Sequence, residues 1–271
     1  MKQASGTLKN ITLETGGKSP LLVFEDADLD QAVKWSHLGI MSNMGQICSA
    51  VSPCNTIFNP YIKSTEFLQI DQTSRILVHT SLYEPFIAAF RAQVSKISII
   101  GDPFSPSTFQ GPQISRAQYD RVQEYIRIGK AEGAKLVETD LPSSPTHQDS
   151  NNLFITPTIF RDVHPEMRIF REEVFGPLVA IAPFTTEAEA IALANNSVYG
   201  LGAAVFTRDI AKGHRVERRL EAGMVWINSS NDGDCRVPFG GVKQSGIGRE
   251  LGEEGLRAYS VEKSVHVNLG S

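Results

Sequence analysis

The stretch Leu21-Leu22-Val23-Phe24-Glu25-Asp26-Ala27-Asp28-Leu29 combines a short apolar run with an acidic cluster. Four consecutive apolar residues bounded by charges are typical of a buried β-strand. Asp26 or Asp28 can cap a following helix, because a carboxylate accepts hydrogen bonds from the free N–H groups of a first helical turn. We expect Gly45 to end that helix, whose inward face is predicted to comprise Leu29, Val33, Ser36, Ile40 and Met44.

The alternation of apolar runs and amphipathic segments continues to residue 228. Further strands are predicted at 75–79, near 155–159, and at 178–184, 203–207 and 224–228. Helices are predicted from Ser81-x-x-Glu84 to 96, from Ser115-x-x-Gln118 to about 132, and at 187–195 and 210–220. Strands separated by single helices predict an α/β fold with a parallel, helix-covered sheet. Residues 264–269 alternate Val265, Val267 and Leu269, which predicts an outlying strand that could pair with another element or subunit.

Composition excludes several classes of protein. The 271 residues carry a net charge of −4 and have no Lys/Arg-rich run, so nothing favours nucleic-acid binding. No apolar stretch is long enough to cross a bilayer, and residues 1–6 are polar, unlike a signal peptide. Three sparse cysteines and scattered histidines favour neither disulfides nor a metal site. We therefore expect a protein of a reducing compartment, the cytoplasm.

Two glycine-marked segments carry candidate catalytic groups. Glu14-Thr15-Gly16-Gly17-Lys18 supplies a carboxylate and Gly45-Gln46-Ile47-Cys48 a thiol, and one predicted strand and one helix separate them. A thiolate nucleophile with a general base is the requirement of covalent catalysis. Taken alone, Cys48 could be a buried structural thiol and Glu14 a solvated acid at a strand end. Neither Cys54 nor Cys235 is preceded by the Gly-Gln-x sequence that precedes Cys48.

Taken together, the motifs resemble the NAD(P)-dependent aldehyde dehydrogenase superfamily over nearly the whole chain. Glu14–Lys18 resembles that family's glutamate motif, with Thr15 in place of its usual Leu, and Gly45–Cys48 resembles its cysteine motif. Further matches, in order, are Gln110-Gly111-Pro112, Pro157-Thr158-Ile159, Glu172-Glu173-Val174-Phe175-Gly176-Pro177, Tyr199-Gly200-Leu201, Trp226-Ile227-Asn228, Pro238-Phe239-Gly240-Gly241-Val242-Lys243 and Ser245-Gly246-Ile247-Gly248-Arg249-Glu250.

The resemblance implies oxidation of an aldehyde to a carboxylic acid with NAD or NADP. It identifies Cys48 with the nucleophile that forms a thiohemiacetal and then a thioester, and Glu14 with the base that activates water. It also identifies Glu173 with the carboxylate that holds the nicotinamide ribose, Phe175 with the residue supporting the ring, and Gln118 with a contact at the adenosine end. It implies a homo-oligomer, and it implies neither a metal, a nucleic-acid partner nor a membrane.

The resemblance also implies a division of the chain. Residues 1–17 would be a remnant of the dinucleotide-binding domain, 18–250 the catalytic domain, and 251–271 a helix end and an oligomerisation strand. Because most of the dinucleotide-binding half has no counterpart here, we expect no aldehyde oxidation by the chain alone. Residues 51–72 lie between the cysteine motif and the next strand, and we interpret them as an aberrant insertion, such as a translated intron. A genuine surface loop is the alternative.

Two other functions fit the same residues. The chain could be a non-catalytic fragment that docks on intact subunits through 264–269. It could also be a relative that transfers the acyl group to coenzyme A, although such a protein has less need of a water-activating Glu14. Among substrates, the motifs favour betaine- or amino-aldehydes. Asp232 and Asp234, near the expected substrate entrance, would suit a cationic aldehyde unless they belong to a solvated loop.

Overall fold

The computed structural model describes residues 1–47, 74–141 and 153–270. Cys48, Cys54 and the predicted insertion at 51–72 therefore lie outside the described residues. The described strands are β1 (Leu13–Glu14), β2 (Pro20–Val23), β3 (Arg75–His79), β4 (Lys135–Val137), β5 (Thr158–Arg161), β6 (Leu178–Phe184), β7 (Gly202–Phe206), β8 (Met224–Ile227) and β9 (Gly246–Ile247). The described helices are α1 (Lys2–Ser5), α2 (Leu29–Met41), α3 (Tyr83–Ile97), α4 (Arg116–Ala131), α5 (Arg168–Arg171), α6 (Glu187–Asn195), α7 (Ile210–Glu217) and α8 (Gly252–Arg257).

Seven strands form one sheet in the order β4-β5-β6-β3-β2-β7-β8. Every neighbouring pair is parallel except β4 with β5, which is antiparallel. The predicted α/β architecture with a parallel, helix-covered sheet is confirmed. Strand β4 was not predicted, because Lys135 and Leu136 are both exposed and a short edge strand has no buried face to show in the sequence.

The two faces of the sheet have separate cores. In β2, Leu21 and Val23 pack with α2 and α3, whereas Leu22 packs on the opposite face with α4 to α7. Successive side chains of a strand point to opposite faces, so one continuous apolar run supplies both cores. The buried strand predicted at residues 21–24 is therefore confirmed as β2, an interior strand of the sheet.

The start of α2 follows the prediction, whereas the start of α3 does not. Asp28 caps α2 by accepting the Gln31 N–H at 3.0 Å. The predicted capping box at Ser81 is wrong, because a 3₁₀ turn over Thr80–Leu82 precedes α3 and the Ser81 N–H donates to His79 Nδ1. Glu84 forms an ion pair with Arg161 instead.

The two ends of the chain differ in how they are attached to the rest of the structure. Strand β1 pairs antiparallel with β9, so residues before 18 are attached to the segment that follows the sheet. Residues 264–270 form no strand in this structure and are exposed, with Leu269 at 92 %. A strand needs a hydrogen-bonding neighbour, and within the described part of this single chain these residues have none. Their pairing with another subunit stays a prediction. None of the helices described here has the length and apolarity needed to span a bilayer.

Candidate active site

Glu14 lies at the end of β1, opposite Gly246 of β9. The two backbones approach so closely that a Cβ on Gly246 would lie 2.0 Å from the carbonyl oxygen of Leu13. The Oε1 atom of Glu14 is buried and accepts no hydrogen bond within the described structure. Burial raises the pKa of Glu14, and the nearby charge of Glu250 raises it further. A half-buried carboxylate with a free acceptor and a raised pKa is suited to act as a general base.

The two glycines after Glu14 make room for a second carboxylate. The Gly17 N–H donates to Oε1 of Glu173 at 3.1 Å. Gly16 has φ +95, and a Cβ there would lie 2.7 Å from Oε2 of Glu173. Burial raises the pKa of Glu173, whereas the Gly17 N–H and the charge of Lys18 lower it. The structure therefore brings Glu173 against the segment that directly follows Glu14.

Helix α4 holds the loop that contains Glu173. Gln118 donates from Nε2 to the carbonyl oxygens of Phe175, at 2.5 Å, and Val174, at 3.3 Å. Arg121 donates to the carbonyl oxygen of Glu173 at 2.6 Å. Phe175 has φ +61, which is unfavourable for a bulky residue and persists where other contacts fix it. In this structure the amide nitrogen of Gln118 is therefore bound to the protein backbone.

The turn that leads to Cys48 packs on the same loop. Its residues Asn43, Met44 and Gly45 have φ values of 47°, 58° and 66°. A Cβ on Gly45 would lie 2.2 Å from the carbonyl carbon of Gly176, so glycine is required for this contact. Cys48 itself is outside the described residues. The backbone is described up to Ile47, which is buried.

Lys18 is a buried basic residue that was not predicted as a site residue. Its Nζ has no hydrogen-bond partner within the described residues. Burial and the neighbouring charge of Arg75 lower the pKa of Lys18 to about 7. Arg75 is also buried, but its guanidinium is satisfied by backbone carbonyls, including those of Lys18 at 2.8 Å and Ala194 at 2.9 Å. The signal for Lys18 was its position directly after the two glycines that accommodate Glu173.

Comparison with known proteins gives the family. A sequence model described as the aldehyde dehydrogenase family matches residues 1–55 and 71–265. The chain belongs to the aldehyde dehydrogenase family. Residues 56–70, which that model does not match, fall inside the predicted insertion at 51–72. The family predicted from the motifs is thereby confirmed.

Individual aldehyde dehydrogenases match over nearly all of this chain. It is 49 % identical to an aldehyde dehydrogenase-like protein of Schizosaccharomyces pombe, over 99 % of this chain and 49 % of that protein. It is 44 % identical to aldehyde dehydrogenase (NAD(P)+) 1 of Saccharomyces cerevisiae, over 98 % of this chain and 49 % of that protein. The chain thus spans about half the length of the curated relatives it matches.

Solved aldehyde dehydrogenase structures share the fold. The betaine aldehyde dehydrogenase of Staphylococcus aureus in complex with NAD+ matches with a TM-score of 0.81 and 40 % identity, over 96 % of this chain and 46 % of that chain. An NAD-dependent aldehyde dehydrogenase of Sinorhizobium meliloti matches with a TM-score of 0.85 and 36 % identity, over 100 % of this chain and 48 % of that chain.

The two acids predicted to lie near a substrate entrance have different partners in the structure. Arg236 donates to both carboxylate oxygens of Asp234, so that carboxylate is engaged within the protein. Asp232 is exposed, and its carbonyl oxygen accepts the Trp226 indole N–H at 2.6 Å. Of the two acids proposed to favour a cationic aldehyde, Asp234 is therefore neutralised by its neighbour.

Thr15, which stands where the family usually has Leu, makes two hydrogen bonds. Its hydroxyl donates to the carbonyl oxygen of Gln244, and its N–H donates to that of Ser245 at 3.0 Å. These two bonds attach the Glu14 segment to the 3₁₀ turn Lys243–Ser245. The departure thus adds a contact at the base of the candidate site.

Proposed function

We propose that this chain provides the catalytic residues of an aldehyde dehydrogenase that oxidises an aldehyde to a carboxylic acid with NAD+ or NADP+. Cys48 is the nucleophile and Glu14 the general base. The observation that carries the proposal is the buried Oε1 of Glu14, which accepts no hydrogen bond within the described residues, three positions before the Gly17 N–H that binds the carboxylate of Glu173. The printed names of its relatives, which include NAD(P)+ and an NAD+ complex, support the choice of coenzyme.

Two residues perform the proposed chemistry. The Cys48 thiolate adds to the aldehyde carbon, and the carbonyl oxygen becomes the oxyanion of a thiohemiacetal. NAD(P)+, when bound, supplies the acceptor for the hydride that leaves this carbon, and a Cys48 thioester remains. Glu14 then removes a proton from water as that water attacks the thioester carbon, which releases the acid and the thiolate. The raised pKa of Glu14 suits this role, because a stronger base accepts the proton more readily.

The described residues fit one end of the coenzyme. Glu173 offers carboxylate oxygens to ribose hydroxyls, and its position is fixed by the Gly17 N–H. Phe175 would support the nicotinamide ring. Gln118 as a contact for the adenosine end stays a proposal, and that contact would require its amide to exchange a bond to Phe175 for one to the coenzyme. That the chain alone does not oxidise aldehydes also stays a prediction.

A second role is favoured by the exposed end of the chain. Val265 and Val267 are each 73 % exposed and Leu269 is 92 % exposed. Such an alternating apolar segment is suited to add a strand to another subunit, as a homo-oligomer or as a fragment docked on intact relatives. Transfer of the acyl group to coenzyme A is less favoured, because Glu14 is retained, and it would be recognised by acyl-CoA formation.

The acyl-transfer step can be tested without a coenzyme. An activated ester, p-nitrophenyl acetate, should acetylate Cys48 and release p-nitrophenolate in a burst, because a thiolate attacks an ester without a hydride acceptor. Mass spectrometry of peptides should place the acetyl group on Cys48, and Cys48→Ser should abolish the burst while Cys235→Ser preserves it. Acetylation confined to Cys54, Cys235 or lysines would contradict the proposal. Aldehyde-dependent formation of NADH, assayed in parallel, tests the prediction of no oxidation.

A further inference from the structure

The turn before Cys48 is conformationally unfavourable. Asn43 and Met44 have φ/ψ of 47°/39° and 58°/29°, and Gly45 continues in the same left-handed region. For residues with a Cβ this conformation is costly, and consecutive left-handed residues are unusual. Such a turn persists where surrounding contacts over-determine it, and functional sites are where these turns are concentrated.

Three hydrogen bonds that help to fix this turn come from one short segment, residues 110–114. Gln110 donates from Nε2 to the carbonyl oxygen of Met41 at 2.5 Å, and Gln113 donates to that of Met44 at 3.3 Å. The Ile114 N–H donates to Oε1 of Gln46 at 3.0 Å. The glutamines therefore bind the turn at its beginning and at its most unfavourable residue.

Both glutamine side chains are fully within the protein. Gln110 is 1 % exposed and Gln113 is 2 % exposed. Their Oε1 atoms accept no hydrogen bond within the described residues, so each buried amide is oriented by its donor bond to the turn. A Leu of similar volume would fill either position with less polar burial. The core alone therefore gives no reason for an amide at these positions.

Backbone hydrogen bonds also attach residues 110–114 to other parts of the chain. The Gln110 N–H donates to the carbonyl oxygen of Ile99 at 2.9 Å, and the Gln113 N–H donates to that of Leu153 at 2.9 Å. Helix α4, which holds the Glu173 loop, begins at Arg116, directly after the segment. One continuous stretch of chain thus fixes both the turn before Cys48 and the loop of Glu173.

We infer that Gln110 and Gln113 are positioning residues for the nucleophile. They act through the backbone of residues 41–47, and the amide bonds hold this backbone in the left-handed turn from which Cys48 follows. This inference rests on the proposed function, in which Cys48 is the acyl acceptor. It assigns a role to the Gln110-Gly111-Pro112 motif, which the proposed chemistry does not use.

The test separates acylation from deacylation in the p-nitrophenyl acetate reaction. Gln110→Leu and Gln113→Leu should each lower the acylation rate of Cys48 by roughly fivefold, the equivalent of one hydrogen bond. Hydrolysis of the acetyl-enzyme should keep the midpoint of its wild-type pH profile, because Glu14 is untouched. Gln31→Leu, at an exposed glutamine, is the matched control, and far-UV circular dichroism reports whether the fold is intact.

A second variant keeps the inference testable if a glutamine variant folds poorly. Met44→Gly removes the cost of the left-handed conformation, since glycine adopts it freely. Added to Gln113→Leu, it should restore at least half of the lost acylation rate. Hydrogen exchange of the amides of residues 42–47 should be faster in Gln113→Leu and slower again in the double variant.

The outcomes distinguish the two proposals. Wild-type protein that is never acetylated at Cys48 would overturn the proposed function, and the inference with it. Wild-type protein that is acetylated, with both glutamine variants acylating and exchanging as it does, would overturn the inference alone. A double variant that recovers neither acylation nor slow exchange would also contradict it.

Discussion

Substitution of Gly45 by Ala probes the contact between the two loops of the site. Gly45 has φ +66, and its added Cβ would lie 2.2 Å from both the carbonyl carbon and the oxygen of Gly176. Gly133, which follows α4, offers a matched control, because it also has a positive φ (+93) but has nothing within 4 Å of an added Cβ. The pair separates conformational strain from steric collision.

The expected cost follows from two contributions. A left-handed conformation costs an alanine about 1–2 kcal/mol, and both variants pay it. Carbon atoms pack at about 3.5–4.0 Å, so the collision at Gly45 requires a backbone shift of more than about 1 Å. Overpacking of this kind costs about 1–3 kcal/mol more. Gly45→Ala should therefore destabilise the protein by about 2–5 kcal/mol, and Gly133→Ala by about 1–2 kcal/mol.

Urea denaturation followed by far-UV circular dichroism measures both values on the whole chain. The m-value should stay constant if the variants unfold as the wild type does. In the absence of urea, Gly45→Ala should also reduce the acetylation of Cys48 by p-nitrophenyl acetate, whereas Gly133→Ala should not. Equal destabilisation by the two variants, within about 0.5 kcal/mol, would refute the close packing of the cysteine turn on Gly176.

Three further predictions concern buried ionisable groups. Burial lowers the pKa of His37 from 6.5 to about 4, so the unfolded chain binds the proton more tightly than the folded protein does. The free energy of unfolding should therefore fall by up to about 3 kcal/mol as the pH drops from 6.5 to about 4. His37→Gln should remove this part of the pH dependence measured by urea denaturation, whereas His266→Gln, at an exposed histidine, should retain it. Arg75→Met should cost about 3 kcal/mol, because it leaves buried carbonyl oxygens such as that of Ala194 unpaired, and exposed Arg127→Met should cost less than about 0.5 kcal/mol. Glu14→Gln should raise the melting temperature at pH 7, because the raised pKa of Glu14 means that burial disfavours its charged carboxylate. This gain should vanish below pH 4.5, the ordinary pKa of a glutamate, where the wild-type carboxyl is also neutral. A difference in melting temperature that stays the same from pH 7 to below pH 4.5 would contradict the assigned burial.

Local patterns predicted the sheet and most of its helices. The apolar runs at 75–79 and 178–184 match β3 and β6 residue for residue. Ser115 caps α4 as predicted, by accepting the Gln118 N–H at 3.2 Å. Ser81 does not cap α3, because its hydroxyl is hydrogen-bonded to His79 Nδ1 at 2.8 Å and its N–H donates to the same atom. A capping pattern therefore predicts a cap well where no neighbouring side chain competes for the capping hydroxyl.

The site was only partly predictable. Motif order identified Glu14 and Glu173, but the contact of Glu173 with Gly17 joins residues 156 positions apart in the chain. The left-handed turn at Asn43 and Met44 had only a weak sequence signal, since Asn adopts this conformation more readily than most residues but Met does not. Gln118 was assigned to the coenzyme from resemblance, whereas its bonds to Phe175 and Val174 depend on the folded loop. Long-range packing, which periodicity does not encode, decides these details.

The lifetime of acetyl-Cys48 tests the pairing of thiol and carboxylate most directly. The measurement is the loss of the acetyl mass from the Cys48 peptide over time, after a burst with p-nitrophenyl acetate, in wild type and Glu14→Gln. A positioned general base contributes about 10²–10⁴-fold, so we predict an equal burst in both proteins and an acetyl-enzyme that persists at least about 10²-fold longer in Glu14→Gln. Equal lifetimes in the two proteins would contradict the assignment of Glu14 as the base that acts on the Cys48 thioester.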